Sequence, residues 1–254
     1  MSGSKARSID ILNVRLDDYT LPELLSELKR GVLVTPNVDH IVKVQTDREF
    51  YQAAGAAEYS ICDSRILQLM SRIKGEPLRE AIPGSSFFPA YCDYHAGDEA
   101  VKIFLLGARE GVADTARQKI NARIGREIIV GAYSPPFGFD RDEAECQHIV
   151  NILNASGANV VLVGVGNPKQ TTWIQRYKAQ VPGVDLWMAL GATIDFEAGN
   201  IKRAPALWQR LRMEWLYRFL CEPRRLFRRY FVDDMKFFYH FAKQLLGVYK
   251  NPFG

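Results

Sequence analysis

The sequence is poor in the residues that staple or metallate a fold. Its four cysteines, Cys62, Cys92, Cys146 and Cys221, are widely scattered and form no Cys-x-x-Cys pair. A disulfide framework or a zinc site is therefore not expected, and reduced thiols are. The four histidines are equally dispersed, so a His-based metal site is not expected, and no bound cofactor is expected either. No run of roughly 18 apolar, uncharged residues occurs, so no transmembrane helix is expected. The first residues, MSGSKARSIDILNV, lack the apolar stretch of a signal peptide. Neither the dinucleotide fingerprint GxGxxG nor the phosphate loop GxxxxGK[ST] is present. A helix-turn-helix, an RNA-recognition sheet and a zinc module are missing too, which argues against a nucleic-acid partner. There is no internal repeat and no low-complexity tract.

What is present is an uneven distribution of charge. The whole chain carries +4, but from Lys202 onward twelve Lys and Arg face four acidic residues. The preceding 201 residues are therefore net acidic, and a basic tail is joined to an acidic body. Such asymmetry points to an anionic partner, a membrane surface before a nucleic acid. At 254 residues the chain suits one large domain or a domain plus an appendage.

Short apolar strands alternate with helices along the body. Ile9 to Val14 reads as a strand and Leu21 to Leu28 as a helix, with Thr20 and Glu23 at capping-box spacing. Gly31 to Asn37 is a strand ending in a polar turn, and one helix is expected from Val38 to Ala56. Tyr59 to Asp63 is a strand ending on a carboxylate. Val101 to Gly107 and Asn159 to Gly166 are the most apolar strands, and each runs into glycine before a helix. Asp185 to Leu190 leads to Gly191. The pattern predicts an α/β fold, a Rossmann-like, mainly parallel sheet covered on both faces, with a C-terminal helical, basic-aromatic appendage. The core is expected over residues 1–200, its halves meeting near residue 96, and the appendage over 201–254.

Ligands bind at the carboxyl edge of such sheets. Glycine lets a phosphate approach the backbone, and the helix N-terminus supplies N–H groups. Gly107, Gly164, Gly166, Asn167, Lys169, Gln170 and Gly191 are candidates on this ground, against the plain reading of tight βα turns. Asp63 is a candidate general base, against the reading of a helix cap. Asn37 is a candidate substrate contact, against a Pro-Asn turn. Arg79 would bind a phosphate or simply face solvent. Asp195 would hold a ligand hydroxyl or cap a turn. Asp140-Arg-Asp142 has the DxD spacing of metal-dependent sugar transferases, but it opens a helix, so capping is the better reading.

In the tail, Trp208, Leu211, Trp215 and Phe219 recur on one helical face, with Arg210, Arg212 and Arg218 around the remainder. A second helix is expected near Arg224, its aromatics interleaved with Arg224, Arg225, Arg228 and Arg229. The last 54 residues hold 13 of the 29 aromatics, so a large apolar surface accompanies the cations. That combination suits an anionic bilayer interface. Packing onto the core and an oligomer contact are the competing readings.

Thr35-Pro-Asn37, Gly166-Asn-Pro-Lys-Gln170 and the run from Asp195 to Tyr230 together resemble the WecG/TagA/CpsF bacterial glycosyltransferases, over about residues 9–245. The resemblance implies an inverting, peripheral-membrane enzyme on the cytoplasmic face of the inner membrane. It would move a sugar from a UDP-sugar to a polyprenyl-diphosphate-linked sugar without a DxD-bound metal. It also implies a Rossmann-like core and an appendage that docks on the membrane. Asp63 matches the proposed base. Thr35 and Asn37 match residues lining the pocket, Gln170 one near the donor, and Arg79 a pocket arginine. The tail arginines would face the acceptor diphosphate or lipid headgroups. An N-acetylmannosamine donor is the family's commonest case, a β-glucosyltransferase of exopolysaccharide assembly is the alternative, and a non-catalytic membrane-binding relative is a third. Members include monomers and dimers, so a homo-oligomer is compatible. Two positions depart from the pattern: Ser64 stands where glycine usually follows the base, and Thr171 where glutamate usually follows Pro-Lys-Gln.

Overall fold

The fold is given by a computed structural model that describes residues 7–201, Trp208, Tyr217, Phe219, Leu220 and 223–254, with the side chains of Arg224, Arg225, Leu226 and Arg229 set aside. The first strand expected from the sequence is in fact a hairpin, β1 (Ser8–Ile11) antiparallel to β2 (Val14–Asp17). Leu12 takes a left-handed φ of 57° in the turn between them. Helix α1 (Leu21–Glu27) follows, with the Glu23 carboxylate accepting the N–H of Thr20 at 3.0 Å as the capping-box spacing predicts. Strand β3 (Gly31–Val34) leads not to one long helix but to two, α2 (Val38–Val44) and α3 (Arg48–Gly55). Asp47 breaks them by capping the second, accepting from Phe50 N–H at 2.9 Å.

Beyond these come β4 (Tyr59–Ser60), α4 (Arg65–Ile73), α5 (Gly84–Tyr94), β5 (Ile103–Gly107), α6 (Val112–Ile124), β6 (Ile129–Tyr133), α7 (Glu143–Ser156), β7 (Val160–Gly164), α8 (Lys169–Tyr177), β8 (Leu186–Ala189) and α9 (Thr193–Ala198). Six strands form one sheet in the order β4-β3-β8-β7-β5-β6, and every pairing is parallel. The period of two along each strand sends alternate side chains to opposite faces. Leu33, Leu105, Leu162 and Met188 pack with α1, α5, α6 and α9. Val34, Phe104, Leu106, Val163 and Trp187 pack with α7 and α8. Both faces are covered, as an all-parallel sheet requires. The sheet is continuous through both expected halves, because β3 pairs with β8.

The C-terminal region continues as α10 (Pro223–Arg228), a π-helical turn (Arg229–Asp233) and α11 (Met235–Leu245). Phe237 and Phe241, one turn apart, are buried in a third core with the hairpin, α2, α3 and α4. Burial of each ring contributes about 2 kcal/mol. A set of polar contacts extends this anchorage. Gln244 accepts from Leu12 N–H at 2.9 Å, Asn13 donates to Asn251 at 2.9 Å, and the Tyr249 hydroxyl donates to Gln45 at 2.6 Å. The end of the expected appendage is thus integrated with the N-terminal part of the chain.

Candidate active site at the carboxyl edge of the sheet

The parallel strands end level. Val34 pairs with Ser60 and Ala189, Ala189 with Val163, and Gly107 with Gly164. The loops leaving these strands therefore gather along one edge. Thr35, Asn37, Asp63, Gly107, Gly164, Gly166, Asn167, Lys169, Gln170, Gly191 and Asp195 all lie at strand ends, in the loops or in the first helical turn beyond them.

Asp63 does not cap the helix that follows it. Ser64 does, its side chain accepting from Leu67 N–H. The Asp63 N–H donates to the Pro36 carbonyl at 3.0 Å, which sets the β4 loop against the β3 loop. Its carboxylate instead accepts the N–H of Gly84, the first residue of α5, at 3.1 Å. A helix N-terminus favours negative charge there. Gly84 has little room for a side chain, since a Cβ would lie 3.2 Å from Leu190 Cδ2. Helix α5 thus starts tight against the turn between β8 and α9. Thr35 is buried beside Asn37. The Asn37 carboxamide accepts from His40 N–H at 3.0 Å and caps α2.

The glycines at the strand ends serve backbone contact. Gly107 has φ of 132°, and a Cβ on it would lie 2.6 Å from the Gly164 carbonyl. A Cβ on Gly164 would lie 2.8 Å from the Gly191 carbonyl oxygen. Nor do the turns offer the bare N–H groups expected of them at Gly166 and Gly191. Both donate to Oε1 of Gln170, at 3.0 and 3.1 Å. Gln170 is buried at the start of α8 and turns back into the loop. Asn167 is held through three groups. Its Oδ1 accepts from the Thr171 hydroxyl at 2.9 Å, its Nδ2 meets His40 Nδ1 at 3.3 Å, and its carbonyl accepts from Lys43 Nζ at 3.2 Å.

Lys169 is paired with Asp140 at 2.9 Å. Burial pushes the Asp140 carboxyl up, but the Lys169 ammonium brings it, on balance, below its ordinary range. Asp142 caps α7, accepting from Ala144 N–H at 3.0 Å and Glu145 N–H at 3.2 Å. The DxD spacing is accounted for by these two roles. Among the described residues no group of three or more His, Cys, Asp or Glu is arranged to hold a metal ion. Arg79 is also committed. Its Nη1 and Nη2 form a fork on the Glu23 carboxylate at 2.7 and 2.6 Å, and Nε reaches Asp18 at 3.2 Å. Hydrogen bonding to Arg79 holds the exposed Glu23 carboxyl down to about 2. Arg79 thus braces α1. Asp195 lies in the first turn of α9, a helix the sequence pattern did not disclose. Burial raises its carboxyl above the ordinary value, against the opposing field of Arg109.

A model of the glycosyl transferase WecG/TagA/CpsF family matches residues 9–251. The chain belongs to that family. It is therefore a glycosyltransferase, with a sugar donor and a sugar acceptor, built on an all-parallel α/β sheet. In this WecG/TagA/CpsF glycosyltransferase three edge residues lie outside the set that motifs suggested. His40 bridges the β3 and β7 loops. Arg109 is an exposed cation whose field acts on Asp195. Phe137 is fully exposed, with Lys169 Nζ 4.8 Å from its ring centroid. Its loop is anchored on both sides, by buried Phe139 and by the Ser134 hydroxyl donating to the Gly107 carbonyl at 3.0 Å. In the sequence, the signal for Phe137 is the Pro/Gly/aromatic run Tyr133-Ser-Pro-Pro-Phe-Gly-Phe139. A wide depression lined by Asp114, Arg117, Gln118, Asn121 and Glu127 lies apart from this edge, on α6, and Arg117 and Glu127 neutralise each other there at 2.6 Å.

Among the tail residues, Arg210, Arg212 and Arg218 lie outside the described residues, as do Leu211 and Trp215 of the expected helical face. Arg224 and Arg225 lie on α10, and Arg229 opens the π-helical turn. Arg228 is exposed, its Nε 4.0 Å from Asp233. Leu220, Phe227, Phe231, Val232, Met235 and Tyr239 are exposed along the same stretch. The aromatic tail is therefore divided, with two rings in the core and several facing outward. No described helix is long and apolar enough to cross a membrane.

Proposed function

We propose that this glycosyltransferase inverts the anomeric centre of a UDP-linked sugar as it transfers that sugar to a polyprenyl-diphosphate-linked sugar, with Asp63 as the general base. The observation that carries the reading is the placement of the Asp63 carboxylate, held by Gly84 N–H at the strand edge that also bears the glycine turns. An inverting displacement needs one base aligned with the acceptor hydroxyl, and such help is worth roughly 10²–10⁴-fold. The hydroxyl proton passes to Asp63 while its oxygen bonds to the anomeric carbon and UDP departs. Stabilising the departing diphosphate falls to cations. Arg109 and the tail arginines are assigned that role, since Lys169 and Arg79 already hold acidic partners. Thr35 and Asn37 line the acceptor side and Asp195 a donor hydroxyl. The open ring of Phe137 suits a nucleobase.

The exposed aromatics and basic residues from Leu220 to Tyr239 suit a peripheral site on the anionic cytoplasmic face of the inner membrane, where a polyprenyl acceptor resides. An N-acetylmannosamine donor is the first choice, and β-glucosyl transfer in exopolysaccharide assembly the alternative. The test offers a panel of UDP-sugars to synthetic polyprenyl-diphosphate-linked GlcNAc and glucose in mixed anionic vesicles. One productive pair with an inverted linkage is expected. UDP binding with no transfer from any donor would favour a non-catalytic relative instead.

A further inference from the structure

His40 is a costly residue for its position. It is wholly buried, with its ring centroid 4.5 Å from that of Phe50. Its Nε2 meets no hydrogen-bond partner among the described residues. A buried polar atom left unpaired destabilises a fold, so an apolar side chain of similar size would pack this site at least as well. Stability alone does not explain the imidazole.

Its ring contact with Asn167 does. The backbone N–H of residue 40 donates to the Asn37 carboxamide in the β3 loop, at 3.0 Å, whatever its side chain. Its Nδ1 lies 3.3 Å from Nδ2 of Asn167 in the β7 loop. An amide nitrogen only donates, so Nδ1 accepts and the ring proton sits on the unpaired Nε2. The far end of the same carboxamide is fixed by the Thr171 hydroxyl at 2.9 Å. The Asn167 carbonyl takes Lys43 Nζ, and Lys43 in turn pairs with Asp39 at 2.9 Å. Helix α2 is thus capped by the β3 loop at its start and holds the β7 loop through the imidazole and Lys43.

We propose that His40 is a positioning residue, whose Nδ1 fixes Asn167 and so sets the β7–α8 loop at the distance from the β3 loop that nucleoside-diphosphate binding needs. This rests on the donor assignment above. The Asn167 orientation matters because the next residues, through Lys169 and Gln170, form the turn packed against Gly191.

The test uses two variants of nearly equal shape. Asparagine places an acceptor where Nδ1 stood, and leucine places none. UDP binding is measured by calorimetry on the full chain, beside thermal unfolding and, with a productive donor and acceptor, KM and kcat. His40→Leu is expected to weaken UDP binding and raise donor KM about fivefold, the scale of one lost hydrogen bond. It should leave kcat and the unfolding temperature nearly unchanged, and His40→Asn should restore affinity. Equal UDP binding by wild type and His40→Leu would overturn the inference while leaving the donor assignment standing. Weaker binding that His40→Asn does not restore, with a lowered unfolding temperature, would make His40 merely structural and also overturn it. Wild type that does not bind UDP would overturn both.

Discussion

The carboxamide oxygen of Gln170 accepts the N–H of Gly191 at 3.1 Å across two loops of the sheet edge. The same oxygen accepts Gly166 N–H at 3.0 Å, so one buried side chain joins the turns after β7 and β8. Gln170→Ala would leave two N–H groups unpaired and open a small cavity. A loss of about 2–3 kcal/mol in stability is expected, with UDP affinity falling at least as far as in the His40 variant. Denaturant unfolding and calorimetry check this. Wild-type UDP affinity in Gln170→Ala would mean that the joined turns do not shape the donor site.

Phe137 offers an uncovered ring on an anchored loop. Stacking of a base on an aromatic ring is worth roughly 1–3 kcal/mol. Phe137→Ala should therefore weaken UDP binding about tenfold, while Phe137→Trp retains it and both keep wild-type stability. If inorganic diphosphate binding fell as much as UDP binding, the ring would not be reading the base.

The tail calls for a finer test than deleting residues 203–254. That deletion removes Phe237 and Phe241 from a core they share with the hairpin and α2, so loss of activity would report unfolding. Phe237→Ala should cost about 3–5 kcal/mol. The paired change Phe227→Ser and Phe231→Ser alters rings that are about half exposed, at 57% and 49%. It should leave the unfolding temperature within a few degrees of wild type and reduce sedimentation with anionic vesicles severalfold. Undiminished vesicle binding would place the membrane contact elsewhere.

Burial holds the His40 imidazole down to about 3, far below its ordinary value of 6.5. The unfolded chain takes up a proton here between these values and the folded chain does not. The associated stability is complete above pH 6.5 and is lost as pH falls toward 3. At pH 5 the loss is about 2 kcal/mol. Wild type should lose about that much more than His40→Leu between pH 8 and pH 5 in denaturant titrations. Equal losses would mean that the ring is hydrated or protonated in the native state.

The layered α/β fold was legible because strands such as Val160–Gly164 are short apolar runs ending in glycine, a local signal that helices on both sides reinforce. The Leu12 turn and the Asp47 break were not legible, since a hairpin with one left-handed leucine and a cap inside an apolar stretch both leave hydrophobic periodicity intact. Motifs placed Asp63 and Gln170 at the carboxyl edge of the sheet, where both residues lie. They did not show that Gln170 occupies the glycine N–H groups, or that Arg79 and Lys169 are paired with Glu23 and Asp140. Those facts depend on partners 56 and 29 residues away in sequence. His40, Arg109 and Phe137 carried no motif, and only the meeting of distant loops gives them meaning.

The most direct test of the account compares wild type with Asp63→Asn in single-turnover transfer, with UDP binding measured on the same samples. Asparagine retains the oxygen that accepts Gly84 N–H, so fold and donor site should persist. The expected result is unchanged UDP affinity and a loss of about 100-fold or more in the transfer rate. Transfer at near the wild-type rate would contradict it and move the base to another carboxylate at this edge, Asp195 first.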